Sequence, residues 1–152
     1  MRKAVKEWAN THIFVGQNDL KISHGENIFI KDCKNVNICG SATVEYICGE
    51  ATVKYIYDSA TVESIYDNAT VEYICSSATV KSIYDSATVK SICDSATVKS
   101  IYGNVTVISS PYTKWNNSAS LIISGNATFK DCYSKTIYQA GGWKLVEVKK
   151  GK

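Results

Sequence analysis

From Ser41 to Gly103 the chain repeats one nine-residue pattern of apolar and polar positions, as SATVEYICG, EATVKYIYD, SATVESIYD, NATVEYICS, SATVKSIYD, SATVKSICD and SATVKSIYG. The Ala, Thr, Val and Ile slots never vary, the slot after Val holds Glu or Lys, and the next holds Tyr or Ser. Buried sites resist changes of volume, so the Tyr/Ser exchange marks an outward position. Ala, Val and Ile then point inward and Thr outward, which makes Ala-Thr-Val a short in-out-in strand. The two outward residues after Val predict a bend. Asp-Ser, Asp-Asn and Gly-Ser at the junctions predict turns. β-branched residues fill each copy and no proline interrupts it, which favours strand. A period of nine would also scatter identical residues around a helix of about 3.6 residues per turn.

A fixed short period predicts a stacked array, and chain geometry sets the size of one coil. Nine residues span about 30 Å, and two packed walls sit about 10 Å apart, so crossing twice leaves less than two residues per wall. Two copies, spanning about 59 Å, close a coil. The expectation is therefore an all-β chain, a single parallel β-solenoid with about 18 residues per coil and successive copies on opposite walls. Weaker copies extend it: DCKNVNICG (Asp32–Gly40) before, and NVTVISS (Asn104–Ser110), SASLIISG (Ser118–Gly125) and NATFKDCYS (Asn126–Ser134) after. Roughly twelve copies make about six coils, or about 29 Å of stack.

This reading divides the chain into an N-terminal cap (1–26), the solenoid (27–134, with regular copies over 41–103) and a C-terminal cap or strand (135–152). Open solenoid ends expose strand edges that natural proteins cover. MRKAVKEW predicts a short amphipathic helix, TIYQAGGWKLVEVKK a strand-like cap, and Trp8, Trp115 and Trp143 serve as plugs outside the regular copies.

Composition changes this picture little. A net charge of +3 over 152 residues is too weak to imply a nucleic-acid binder without a local patch. The first thirty residues hold no apolar run resembling a signal peptide, and no stretch has membrane length. Of the six cysteines, Cys48, Cys75 and Cys93 occupy an eighth slot that is Tyr in the other copies, and Cys33, Cys39 and Cys132 lie outside. A slot that accepts Tyr is not a dedicated cross-linking site, so the expectation is reduced thiols in a cytoplasmic protein.

Catalytic chemistry is not legible. His12 and His24 are the only histidines, both outside the repeats, and Cys33 and Cys39 lack a matching second pair. There is no Gly-rich phosphate loop. The expectation is no enzyme, no metal and no cofactor. A single Thr column flanked by charged and Tyr columns reads as a structural ladder before an ice-binding surface. One wall carries Glu45, Glu63, Lys81 and Lys99 beside Cys48, Tyr66, Tyr84 and Tyr102, and the other Lys54, Glu72 and Lys90 beside Tyr57, Cys75 and Cys93. Aromatic and cationic ladders together make a docking surface, so Tyr66, Lys81, Tyr84, Lys99 and Tyr102 are the candidate partner-binding residues.

The nine-residue period resembles that of calcium-binding β-roll proteins, which also place two nonapeptides in a coil. Here Asp58, Asp67, Asp85 and Asp94 stand without the Gly-Gly-x-Gly-x-Asp turns those proteins use, which argues against calcium. Pentapeptide-repeat proteins and hexapeptide acyltransferases share the solenoid idea at other periods. NATVEYI (Asn68–Ile74) looks like short-repeat proteins of unassigned role in gut bacteria and their phages, a resemblance covering about two thirds of the chain and carrying no functional motif. Together these readings favour a non-catalytic binding protein that docks a rigid ladder face on a macromolecule. A protein is the leading partner and nucleic acid the other; no membrane is expected. The phage-like phrase points to an inhibitor of a bacterial defence or nucleic-acid enzyme. The alternative is a scaffold that dimerises or polymerises through its solenoid ends.

Overall fold

Each regular copy forms a strand from its Thr onward, because the β-branched pair Thr-Val and the closing Ile suit a half-buried pleat. The computed structural model describes residues 12–112 and 121–139. Its strands are β1 (Ile13–Val15), β2 (Lys21–Ile22), β3 (Ile28–Lys31), β4 (Val36–Ile38), β5 (Thr43–Cys48), β6 (Thr52–Ile56), β7 (Thr61–Ile65) and β8 (Thr70–Ile74). They continue as β9 (Thr79–Ile83), β10 (Thr88–Ile92), β11 (Thr97–Ile101), β12 (Thr106–Ser109), β13 (Ile122–Ile123), β14 (Thr128–Asp131) and β15 (Thr136–Gln139). Odd strands β1 to β13 stack into a seven-stranded first wall, and even strands β2 to β14 into a second that β15 extends to eight. The stacking is parallel throughout except for β15, which runs antiparallel to β14. The chain is a β-solenoid, as the period predicts.

Register follows the arithmetic of two copies per coil. Val44 pairs with Val62, Val62 with Val80 and Val80 with Val98 on the first wall. Val53, Val71 and Val89 do the same on the second. The Ala, Val and Ile of all seven copies are buried and form one continuous core between the walls. At the C-terminal end Phe129 takes the Val position of β14 and packs on Tyr138 of β15, ring centroids 5.9 Å apart. No helix among the described residues is long and apolar enough to cross a membrane.

The turns explain the ninth slot. Asp58, Asp67, Ser76, Asp85 and Asp94 all have φ between 55° and 60°, a left-handed conformation that Asp adopts more readily than most residues. The following Ala N–H closes each turn, for example Ala60 donating to the Tyr57 carbonyl at 3.3 Å. The carboxylates then reach the preceding coil. Asp58 accepts from the Gly40 amide at 3.0 Å, Asp67 from Gly49 at 2.9 Å and Asp94 from Ser76 at 3.1 Å. These aspartates are therefore committed to capping backbone amides between coils.

The ladder also extends toward the N-terminus, through part of the segment (1–26) that spacing alone assigns to a cap. Ile13 pairs with Phe29 and Lys21 with Asn37, sixteen residues apart and not eighteen. Strands β3 and β4 lack the charged fifth slot. Ile28 pairs with Val44 but the next residue, Phe29, with Tyr46; Val36 pairs with Val53 but Asn37 with Tyr55. The sixteen-residue spacing hides β1 and β2 from a search for nonamers, whereas β4 lies in the weaker copy Asp32–Gly40. The expected helix over Met1–Trp8, all three tryptophans and the final lysine-rich segment lie outside the described residues.

Candidate functional site

Among the described residues the repeated polar and aromatic chemistry lies in the outward columns. On the first wall the eighth-slot residues Tyr66, Tyr84 and Tyr102 align as expected. The Tyr66 and Tyr84 rings stack 5.3 Å apart at 3°, and Tyr102 is exposed at the end of the column. Tyr66 is hydrogen-bonded to the Cys48 sulfur, which with burial pushes its pKa above the ordinary phenol value. Lys81 forms an ion pair with Glu63 at 2.6 Å, and Lys99 is exposed on the next rung. The fold thus gathers the five candidates on one wall as a tyrosine column and a lysine column. The inward Ile83 and the intervening Ser82 separate those columns along the strand. Tyr66, Tyr84 and Lys81 already have partners within that wall.

The sixth slot holds the aromatics that selection by slot eight passed over. Tyr46, Tyr55 and Tyr73 are 38%, 37% and 41% exposed. The equivalent residues of other copies, Ser64, Ser82, Ser91 and Ser100, pair in the same register on the same backbone. The solenoid therefore closes equally well with serine there, and the tyrosines cover surface the fold does not require them to cover. On the second wall Tyr55 and Tyr73 stack at 5.2 Å and 18°, with Tyr57 edge-on to Tyr55 at 6.4 Å. The Lys54 ammonium lies 5.8 Å from the Tyr55 ring centroid, within cation–π range. On the first wall Tyr46 sits between Phe29 (5.3 Å) and Tyr66 (5.9 Å). The signal was present in the order of the copies, because Tyr concentrates in the early ones and Ser in the late ones.

Next to Tyr55 the second wall is hollow. Below Tyr55 its column continues with the shorter Asn37 and then Lys21, so the tyrosine stack stops one rung early. The result is a shallow groove of about 450 Å³ lined by Lys21, Asn37, Tyr55 and Tyr57. A second hollow of about 420 Å³, lined by Asn35, Thr52, Lys54 and Glu72, lies where β4 lacks the fifth slot. Among the described residues no carboxylate forms an ion pair with Lys21 and no side chain bonds the Asn37 amide. The Tyr57 hydroxyl is held by the Cys39 thiol, which raises its pKa. The groove thus offers an aromatic face, an amide and an ammonium, a set suited to a planar or acidic group.

Charge is distributed unevenly. The described residues carry more carboxylates than lysines, and the lysine excess behind the net charge of +3 belongs to residues outside them. Within the columns Glu63 pairs with Lys81 and Glu72 with Lys90, so the charged slot largely neutralises itself. Of the two histidines, His24 is exposed and its Nδ1 contacts the hydroxyl of its own neighbour, Ser23, at 3.1 Å. Among the described residues no third side chain is hydrogen-bonded to that pair. No family model matches the chain, and no curated protein or solved structure is significantly similar to it.

Proposed function

We propose that this protein is a non-catalytic binding module that docks a protein partner on the N-terminal half of its second wall. The observation that carries the reading is the exposed, stacked Tyr55–Tyr73 pair in a slot where serine serves the fold equally well, opening onto a groove with free Lys21 and Asn37. Tyrosine is over-represented among residues that dominate interface energies, especially on rigid surfaces beside desolvated pockets. A continuous backbone ladder holds these rings in place, so little side-chain or loop entropy is lost on docking. The carboxylate excess of the described surface favours a protein partner over a phosphate backbone, which requires a basic patch. Lys21 and Lys54 complement an acidic residue on that partner. The five first-wall residues, Tyr66, Lys81, Tyr84, Lys99 and Tyr102, form a second and separate candidate face.

The test is affinity capture from nuclease-treated extract of the native host, identified by mass spectrometry. The wild type, Tyr55→Ser/Tyr73→Ser and Lys81→Glu/Tyr84→Ser are compared, each checked for an unchanged β-type circular dichroism spectrum. A protein retained by the wild type and the first-wall variant but lost from the Tyr55/Tyr73 variant supports the assignment. Each deleted anchor should weaken binding by about thirty-fold or more, taking about 2 kcal/mol per anchor. Retention by the Tyr55/Tyr73 variant overturns it.

Self-association is a second reading, favoured by the exposed Ile13 and Val15 on β1 and Ile122 on β13, the outermost rungs of the first wall. It predicts an assembly that grows across a concentration series in light scattering. One constant small size removes it.

A further inference from the structure

All six cysteines lie within the described residues, and one pair of them is in contact. Cys75 and Cys93 occupy the eighth slot of successive coils on the second wall, directly after β8 and β10, which pair in register through Ile74 and Ile92. Their Sγ atoms are 2.6 Å apart. The Cys93 sulfur also approaches the Ile74 carbonyl, at 3.6 Å, so it is aimed back at the coil that carries Cys75. Both side chains are partly exposed. Neighbouring rungs of a ladder are about 4.8 Å apart, inside the Cα separation that disulfides accept. Cys48 and Cys39, which holds the equivalent place in the weaker copy Asp32–Gly40, lack such a neighbour, since Cys39 is followed in its column by Tyr57 and Cys48 by Tyr66.

We propose that Cys75 and Cys93 form a reversible dithiol–disulfide couple that, when oxidised, staples two successive coils of the second wall. The co-reactant is a small-molecule disulfide such as oxidised glutathione. One cysteine attacks it, releasing a first reduced thiol and forming a mixed disulfide; the second cysteine then displaces the other half. Two S–H bonds are lost and one S–S bond forms in the protein. The two electrons and two protons end on the two small thiols released. Nothing larger than a side-chain rotation is needed, because the in-register ladder already aligns the two residues.

The surroundings set the kinetics. Burial, followed by the hydrogen bond with Cys75 and the nearby Cys75 and Asp94 charges, pushes the Cys93 thiol up to about 12. Burial raises Cys75 as well. Little thiolate is present at neutral pH, so exchange is slow. The rate of exchange therefore increases with pH.

The experiment equilibrates the full chain in glutathione buffers of increasing oxidised fraction at mildly alkaline pH. Samples are quenched in acid, alkylated and digested with trypsin. Cleavage after Lys54, Lys81, Lys90 and Lys99 places the two cysteines on separate peptides, 55–81 and 91–99. The expected result is a linked pair of these peptides that disappears on reduction and is absent from Cys93→Ser. Oxidised wild type should also unfold at higher guanidinium concentration than its reduced form, a shift the variant lacks. Cys75→Ser is a second control, and the peptide map of the wild type does not depend on either. Recovery of 55–81 and 91–99 only as separate alkylated peptides, or only as separate glutathione adducts, at the most oxidising ratio overturns the proposal.

Discussion

Replacing Ile74 with alanine should lower the free energy of unfolding by about 2–5 kcal/mol, the range for truncating a large aliphatic side chain in a packed core. Ile74 is fully buried on β8, with Ile56 on the rung below and Ile92 on the rung above. A cavity is relieved when neighbouring backbone closes around it. Here the backbone ladder fixes the rungs about 4.8 Å apart, so the site cannot collapse along the stack. The Ala slots are fully buried too and offer no longer side chain to fill the gap. Loss of even 3 kcal/mol is a large part of the 5–15 kcal/mol that holds a typical domain together. The adjacent Tyr73→Ser, at an exposed slot that is serine in later copies, should cost about 1 kcal/mol or less, mainly its stack on Tyr55. Guanidinium titrations followed by circular dichroism compare the two. Equal costs would contradict the assignment of inward and outward slots.

The same contrast shows why the architecture was legible in the sequence. Seven copies with invariant Ala, Val and Ile declare which residues face the core, and the length of a strand residue excludes one copy per coil. Pairings such as Thr61 with Thr79 and Val62 with Val80 follow from those two facts alone. The first two rungs, β1 and β2, were not legible, because they pair sixteen residues away and not eighteen. In the sequence the aspartates mark turns, without the glycines of a calcium turn. Turn propensity reports that the chain reverses, and it is silent on Asp67 reaching the Gly49 amide of another coil.

The candidate site divides along the same line. Column membership was readable, and Tyr66, Tyr84, Lys81 and Lys99 stand where the period puts them. What their neighbours do was not readable: Tyr66 turns its face to Tyr84, and Lys81 pairs with Glu63. The two hollows of the second wall arise from two deficits: a short Asn37 beneath Tyr55 leaves one, and the missing fifth slot in β4 leaves the other. Deficits in imperfect copies leave no motif. They nevertheless decide where a repetitive surface becomes concave, and concavity is what concentrates binding.

A comparable deficit makes Gly40 the most sensitive turn position, against what the repeat itself advises. In its column the ninth slot is Asp58, Ser76 and Asp94, all left-handed, so consensus would permit a side chain at Gly40. The coil beneath it is the shortened one. A Cβ on Gly40 would lie 2.3 Å from the Ser23 carbonyl oxygen, which also accepts the Ser41 amide at 3.3 Å. Backbone cannot rotate away as a side chain can, so Gly40→Ala must displace the Ser23 segment and lose that hydrogen bond. Left-handed strain of about 1–2 kcal/mol and overpacking of about 1–3 kcal/mol together predict a loss of about 2–5 kcal/mol. Gly49→Ala shares the strain, with φ at 66°, but its obstacle is the Asp32 carboxylate, a side-chain group free to swing aside. The strain alone costs about 1–2 kcal/mol, and moving the Asp32 carboxylate adds only the weakening of the hydrogen bond it accepts from the Glu50 amide at 2.8 Å. The difference between the two variants in denaturant unfolding isolates the close approach of the first coils. No difference would mean that the shortened coil is not seated against Gly40, and the hollow that this coil leaves beside Tyr55 would lose its foundation.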